Sequence, residues 1–155
     1  MPWVRSALDI LHSDSSAPTS DSPFNQSLYL SFSHREQPPL VLTALGLFNN
    51  SAYYPGFNVN DTMPTDEINY GRAWRTSDIL PFLGHVGIER LECTNETEQV
   101  AGNANATAPF IRVLVNSAPI PIPGCQDGPG GSCGFDDFAT YIEQRVSLYG
   151  DFIGE

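Results

Sequence analysis

The sequence predicts an α/β fold in one domain, and three observations carry that prediction. "LYLSFS" at residues 28–33 alternates Leu28, Leu30 and Phe32 with Tyr29 and Ser31, the two-residue period of a strand with a buried face. It runs through a polar turn into an apolar helical stretch carrying Val41, Leu42 and Leu45. "FDDFATYIEQRVSLYG" at residues 135–150 places Phe135, Phe138, Ile142, Val146 and Tyr149 at the spacing of an amphipathic helix. With 155 residues, 41% of them hydrophobic, the chain is long enough to bury a core.

Each element can be justified in chain order. Residues 3–12 form a short helix with Val4, Leu8 and Leu11 on one face. The Ser-, Asp- and Pro-rich stretch 12–27 is a loop. After the strand at 28–33, Pro38 and Pro39 suit a first helical turn, where a missing N–H costs little, and Gly46 supplies a left-handed stop. Residues 49–77 are loop-like and long for a compact domain, as expected of a functional loop or of packing against a neighbour. Residues 79–92 alternate again, with Leu80, Phe82, Val86 and Ile88 on one face and His85 on the other. A polar insertion at 94–108 precedes a hairpin, "FIRVLVN" and "APIPIPG", whose inward face is Ile111, Val113 and Val115. Asp136 and Asp137 suit the positive end of the last helix and Gly150 its C-terminus.

Charge excludes several partners. Seven arginines, no lysine and 18 acidic residues give a net charge of −11, which repels nucleic acid and anionic membranes. A polyanionic ligand would need arginine concentrated locally. No window approaches the roughly 18–20 apolar residues of a membrane-spanning helix. There is no Gly-rich phosphate loop, no GxSxG elbow and no HExxH. Three cysteines without a nearby histidine make no zinc set, so no metal and no cofactor is expected.

Compartment is signalled by asparagine and cysteine. Sequons stand at Asn25, Asn49, Asn60, Asn95 and Asn105, pointing to a secreted, extracellular glycoprotein. Cys125 and Cys133 bracket the Gly/Pro-rich loop "CQDGPGGSC", which can fold back into a disulfide and leaves Cys93 over. Residues 1–16 have neither the apolar core nor the cleavage site of a signal peptide. The chain is therefore expected to be a piece of something longer.

Among candidate chemical groups, His12 is expected to face solvent and His85 to be a half-exposed strand residue. Asp136 and Asp137 are better explained by helix capping than by acid–base work. Arg72 and Arg75 flank Trp74 and could hold an anion, although stacking of Arg on Trp is the commoner reason for such spacing. His34 differs in its place, at the carboxyl end of a strand just before a helix. Ligands of α/β sheets bind there, where an anion can meet both the imidazole and helix N–H groups.

"LYLSFSHREQPPLVLTALGLFNNS" resembles the second active-site segment of the fungal, phytase-like branch of the histidine acid phosphatases. That family shows a strand, Ser-His-Asp, then a helix ending in Ala-Leu-Gly-Leu. The likeness continues in order through "RTSDILPFLGHVGIERLEC", "PFIRVLVNSAPIPIPGC" and the pair Cys125/Cys133. It implies a single partial domain over residues 1–155, the C-terminal portion of a histidine-phosphatase-type α/β/α sandwich. Such a domain has a mixed, mainly parallel sheet with flanking helices. It also implies metal-free hydrolysis of phosphomonoesters such as phytate. In the family a histidine in Arg-His-Gly-x-Arg-x-Pro attacks phosphorus. The later His-Asp pair contacts phosphate and protonates the leaving oxygen.

Two departures shape the expectation. These 155 residues contain no Arg-His-Gly-x-Arg-x-Pro segment, and Arg35 stands where the family has Asp. Arginine, with a pKa above about 12, is no proton donor near neutral pH. By matching position only His34 carries over, as a phosphate contact. The resemblance also implies that Cys93 bridges to an N-terminal segment that would complement this chain. The expectation is a phosphatase-family fragment, catalytically incomplete as given and poorly soluble alone. The alternative is a non-catalytic pseudo-phosphatase that binds phosphate esters or a protein partner.

Overall fold

The computed structural model describes residues 2–12, 26–49, 70–94 and 107–150. Helices α1 (Pro2–His12), α2 (Gln37–Ala44) and the single turn α3 (Thr76–Ile79) precede strand β1 (Val86–Thr94). Strands β2 (Thr107–Val115) and β3 (Ala118–Ile120), a 3-10 turn at Pro129–Gly131, strand β4 (Cys133–Gly134) and helix α4 (Phe135–Tyr149) complete the order. This is the α/β class, with helices flanking a sheet.

β2 is the centre of the sheet. β1 pairs along its whole length, from Val86 opposite Val115 to Thr94 opposite Thr107. β3 and β4 share the other edge, with Val113 opposite Ile120 and Ile111 opposite Cys133. All of these described pairs are antiparallel. The mainly parallel arrangement implied by the resemblance has no counterpart among them; for β2 and β3 the reason is a two-residue connection, which can join only antiparallel neighbours. β2 and β3 meet through Asn116 and Ser117, both at positive φ (51° and 68°), the twist that a two-residue hairpin loop requires.

Period two on β2 turns Ile111, Val113 and Val115 inward as expected, to exposures of 0%, 1% and 4%. They meet Phe138, Ile142 and Val146 of α4, Leu42 of α2 and the adjoining Leu45 and Leu47, and Val4 of α1, in one core cluster. The expected helical stripes on α1, α2 and α4 are therefore realised, except that Tyr149 ends on the exposed side of α4. The Cys125–Cys133 disulfide forms, with its Cα atoms 5.0 Å apart, and closes the loop beside the core.

α2 stops where the sequence places its stop. Gly46 lies at φ +69°, while the Gly46 N–H donates to the Thr43 carbonyl and the Leu47 N–H to the Leu42 carbonyl. Two buried leucines, Leu42 and Leu47, close this left-handed ending. A side chain at Gly46 would be strained by that φ and would stand 2.7 Å from the Tyr141 hydroxyl.

Two sequence expectations fail. Residues 28–33 are extended but pair with no strand among the described residues, and Leu28, Leu30 and Phe32 are 67%, 71% and 93% exposed. Alternation makes a segment competent to be a strand, but a buried face needs a neighbouring strand, and none of the described ones reaches it. The alternation expected from residue 79 begins only at Val86. Before it, α3 ends and Pro81 opens a turn closed by the Gly84 N–H to the Pro81 carbonyl, which leaves Phe82 at 94% exposure.

Candidate functional site

His34 ends the extended segment and is exposed. Its carbonyl accepts the Gln37 N–H at 3.0 Å, so the histidine is tied to the first turn of α2 by its backbone rather than by its ring. Arg35 is exposed beside it, and its Nε lies 3.5 Å from Glu36 Oε1. Glu36 occupies the N-cap position with helical dihedral angles and makes no side-chain cap. With Pro38 and Pro39 in the first turn, two of the amides that a helix start would present to an anion do not exist. The anion-binding capacity expected here thus falls to the His34 imidazole and the Arg35 guanidinium, with Glu36 competing for the latter.

The opposite end of α2 is held from far away in sequence. Arg145 of α4 donates from Nε to the Ala44 carbonyl at 2.9 Å and from a terminal nitrogen to the Thr43 carbonyl at 2.7 Å. Tyr141 donates its hydroxyl to the Leu45 carbonyl at 2.8 Å. A cation and a hydroxyl therefore satisfy carbonyls at the negative end of the helix dipole. Burial pushes the Tyr141 phenol above its ordinary value near 10, Arg145 pulls against that, and Tyr149 adds to the rise. Sequence reasoning missed this clamp, since Arg145 and Tyr141 look there like surface positions of an amphipathic helix.

The other candidates are placed elsewhere. His12 is exposed and meets Phe135 edge-on at 4.6 Å, while Arg90 lies over the same ring and donates to the Leu11 carbonyl at 2.8 Å. His85 is exposed at the start of β1, with Nε2 3.2 Å from Ser117 Oγ and Nδ1 3.4 Å from the Leu83 carbonyl. Arg75 pairs with Asp78 at 3.0 Å and Trp74 meets Phe48 edge-on, so the two arginines flanking Trp74 are not left together for an anion. Asp136 and Asp137 lie in the first turn of α4, where their charge suits the helix dipole, but Gly134 is the N-cap and no side chain caps the helix.

The clefts among the described residues include a shallow one of about 350 Å³ beside Arg5, Asp9 and Glu143 and another of about 250 Å³ beside Phe48, Arg75 and Asn116. Neither is lined by His34. No described group of His, Cys, Asp and Glu comes together as a metal site, and no described helix is long and apolar enough to cross a membrane. Cys93 is a half-buried free thiol on β1. Of the sequon asparagines, Asn49 is partly buried, and Asn25, Asn60, Asn95 and Asn105 lie outside the described residues.

Comparison with known proteins adds the family context. Residues 4–116 match the family described as histidine phosphatase superfamily (branch 2). The chain is 33% identical to the acid phosphatase PHO1 of Komagataella pastoris over 81% of its own length and 23% of that protein's. It is 34% identical to phytase A of Aspergillus oryzae over 75% of its own length and 22% of that protein's. The chain thus spans about a quarter of the length of the curated relatives it matches. In structure it resembles a phytase from D. castellii, with a TM-score of 0.66 and 24% identity over 94% of this chain and 25% of that one.

Proposed function

Because the chain belongs to branch 2 of the histidine phosphatase superfamily, we propose that it is the C-terminal portion of a phosphomonoesterase of the acid phosphatase and phytase type. In this reading His34 is its phosphate-contacting residue and phytate-like esters are its ligands. The reading extends to location: sequons and a disulfide belong outside the cytoplasm. It extends also to Cys93, which would bridge to a complementing N-terminal segment.

By itself the 155-residue polypeptide binds phosphate esters without hydrolysing them. The observation that carries this is Arg35, an exposed guanidinium adjoining His34, with its side chain at 89% exposure. A carboxylic acid at that position would protonate the departing alkoxide, whereas a guanidinium stays charged and attracts the phosphate. Glu36, one residue on, is engaged with Arg35.

Hydrolysis and binding are tested separately. Turnover of p-nitrophenyl phosphate by the purified chain, followed from acidic to neutral pH, should not exceed that of buffer. Turnover above buffer that disappears in His34→Ala would refute the inactive reading. Calorimetry with phytate should show weak, saturable, salt-sensitive binding that is lost in Arg35→Ala. Absence of saturable binding would dismiss the ligand-binding reading.

A further inference from the structure

We propose that Arg145 and Tyr141 of α4 are positioning residues for His34, setting its place by holding the opposite end of α2. The proposal rests on the reading of His34 as a phosphate contact, and it concerns what keeps that residue in place rather than what it touches. The contacts that carry it run between two packed helices of this chain, so none depends on an open surface.

A short helix moves as a rod. α2 has eight residues, about 12 Å at 1.5 Å per residue. Pro38 and Pro39 lock φ in its first turn, and the Gln37 N–H donates to the His34 carbonyl at 3.0 Å, so His34 is closed onto that turn. A tilt of about 10° about the far end of such a rod displaces its first turn by about 2 Å. Misplacement of a reacting group by about 1 Å can cost about a hundredfold in rate. Whatever fixes the far end therefore fixes His34.

The far end is fixed by contacts that fit together. Arg145 engages the Thr43 and Ala44 carbonyls with one planar group, and Tyr141 engages the Leu45 carbonyl. Bonds to three successive carbonyls set both the tilt and the rotation of the helix, which a single bond would leave free. Burial of Leu42 and Leu45 holds α2 against the core, but apolar attraction has no direction of its own. The guanidinium is itself held, with its carbon 4.5 Å from the centre of the Tyr149 ring. Gly46 admits both donors, because a Cβ there would stand 2.7 Å from the Tyr141 hydroxyl and 3.1 Å from the guanidinium carbon. Lysine is a poor substitute for Arg145, since one ammonium on a flexible stem does not hold two carbonyls in a fixed plane.

NMR of the isotope-labelled 155-residue chain, with phytate titrations at low and high salt, tests this. Arg145→Met and Tyr141→Phe should each displace or broaden the amide and ring signals of His34. Each should also weaken phytate binding about threefold to tenfold, as the fraction of correctly placed His34 falls. The loss should persist at high salt, where a removed charge no longer counts, and Tyr141→Phe removes none. Arg145→Lys should restore the His34 signals only in part. Cys125→Ala with Cys133→Ala should lower the urea midpoint at least as far and leave the His34 signals in place, which separates positioning from stability. His34 signals that superimpose on the parent in both clamp variants overturn the proposal. So do signals that move as far in the cysteine variant, or weaker phytate binding with His34 undisturbed. A parent chain that binds no phytate refutes the phosphate reading instead, and the His34 signals then decide the positioning alone.

Discussion

"FIRVLV" at 110–115 and "LYLSFS" at 28–33 each set three apolar side chains on one face of six residues, Ile111, Val113 and Val115 in the first and Leu28, Leu30 and Phe32 in the second. Phe110 and Leu114 make the first apolar on its other face as well. In the first, β1, β3 and β4 engage both edges, helices cover the face, and Ile111, Val113 and Val115 are all but sealed. In the second, no strand among the described residues pairs with either edge, and Phe32 stands 93% exposed. Alternation therefore specifies a face and leaves open whether anything lies against it. The closed region holds the disulfide, the hairpin and α4, while the open one leads directly into His34. Chemistry expected at a strand's carboxyl end thus follows a segment that pairs with no strand among the described residues.

The largest effect that would sharpen this contrast is a paired truncation. Phe138→Ala empties a site at 1% exposure and should cost about 3–5 kcal/mol. Phe32→Ala removes the same ring from solvent and should stay within about 0.5 kcal/mol. Urea denaturation of both variants measures the difference, and comparable losses would show that residues 28–33 are packed after all.

Next in size is the clasp of the closed region. Reducing Cys125–Cys133 reopens a short loop in the unfolded chain and should cost about 2–3 kcal/mol, seen as a lower urea midpoint. Proteolysis should show whether the loss is confined there: cleavage near 125–133 should accelerate on reduction, with cleavage at 28–36 fast in both states. A midpoint indifferent to reduction would place the stability of this region in its packing alone.

The smallest effects concern the link between the regions, the clamp from α4 onto α2. Arg145→Met leaves two carbonyls to water and should cost about 1–2 kcal/mol, and Tyr141→Phe about 1 kcal/mol. Tyr141 also carries a pH signature. Its folded-state value is raised, so its contribution is complete below about pH 10 and is lost as pH rises through the folded value. Tyr141→Phe should flatten that part of the alkaline stability profile. An unchanged profile would mean that the hydroxyl is not held as the geometry describes.

Much of the local structure could be read in the chain. Gly46 stops α2, Pro38 and Pro39 begin it, and Cys125 meets Cys133. β2 buries the face expected of it, and the helix at 135–149 forms with its apolar stripe inward. The candidate site was half legible. His34 stands just before α2 as expected, but the segment leading into it pairs with no described strand, and the engagement of Arg75 by Asp78 was not foreseen.

What the sequence by itself determined are features set within a few residues: caps, turns, a short disulfide loop and the identity of an apolar face. They follow from φ preferences, missing amides and side-chain periodicity, all of which are local. Tertiary structure alone decided which apolar face is covered, and it joined Arg145 to Thr43 and Ala44 and Arg90 to Leu11. Those outcomes depend on what else occupies the space around a segment, and a pattern of side chains along one strand carries no information about its neighbours.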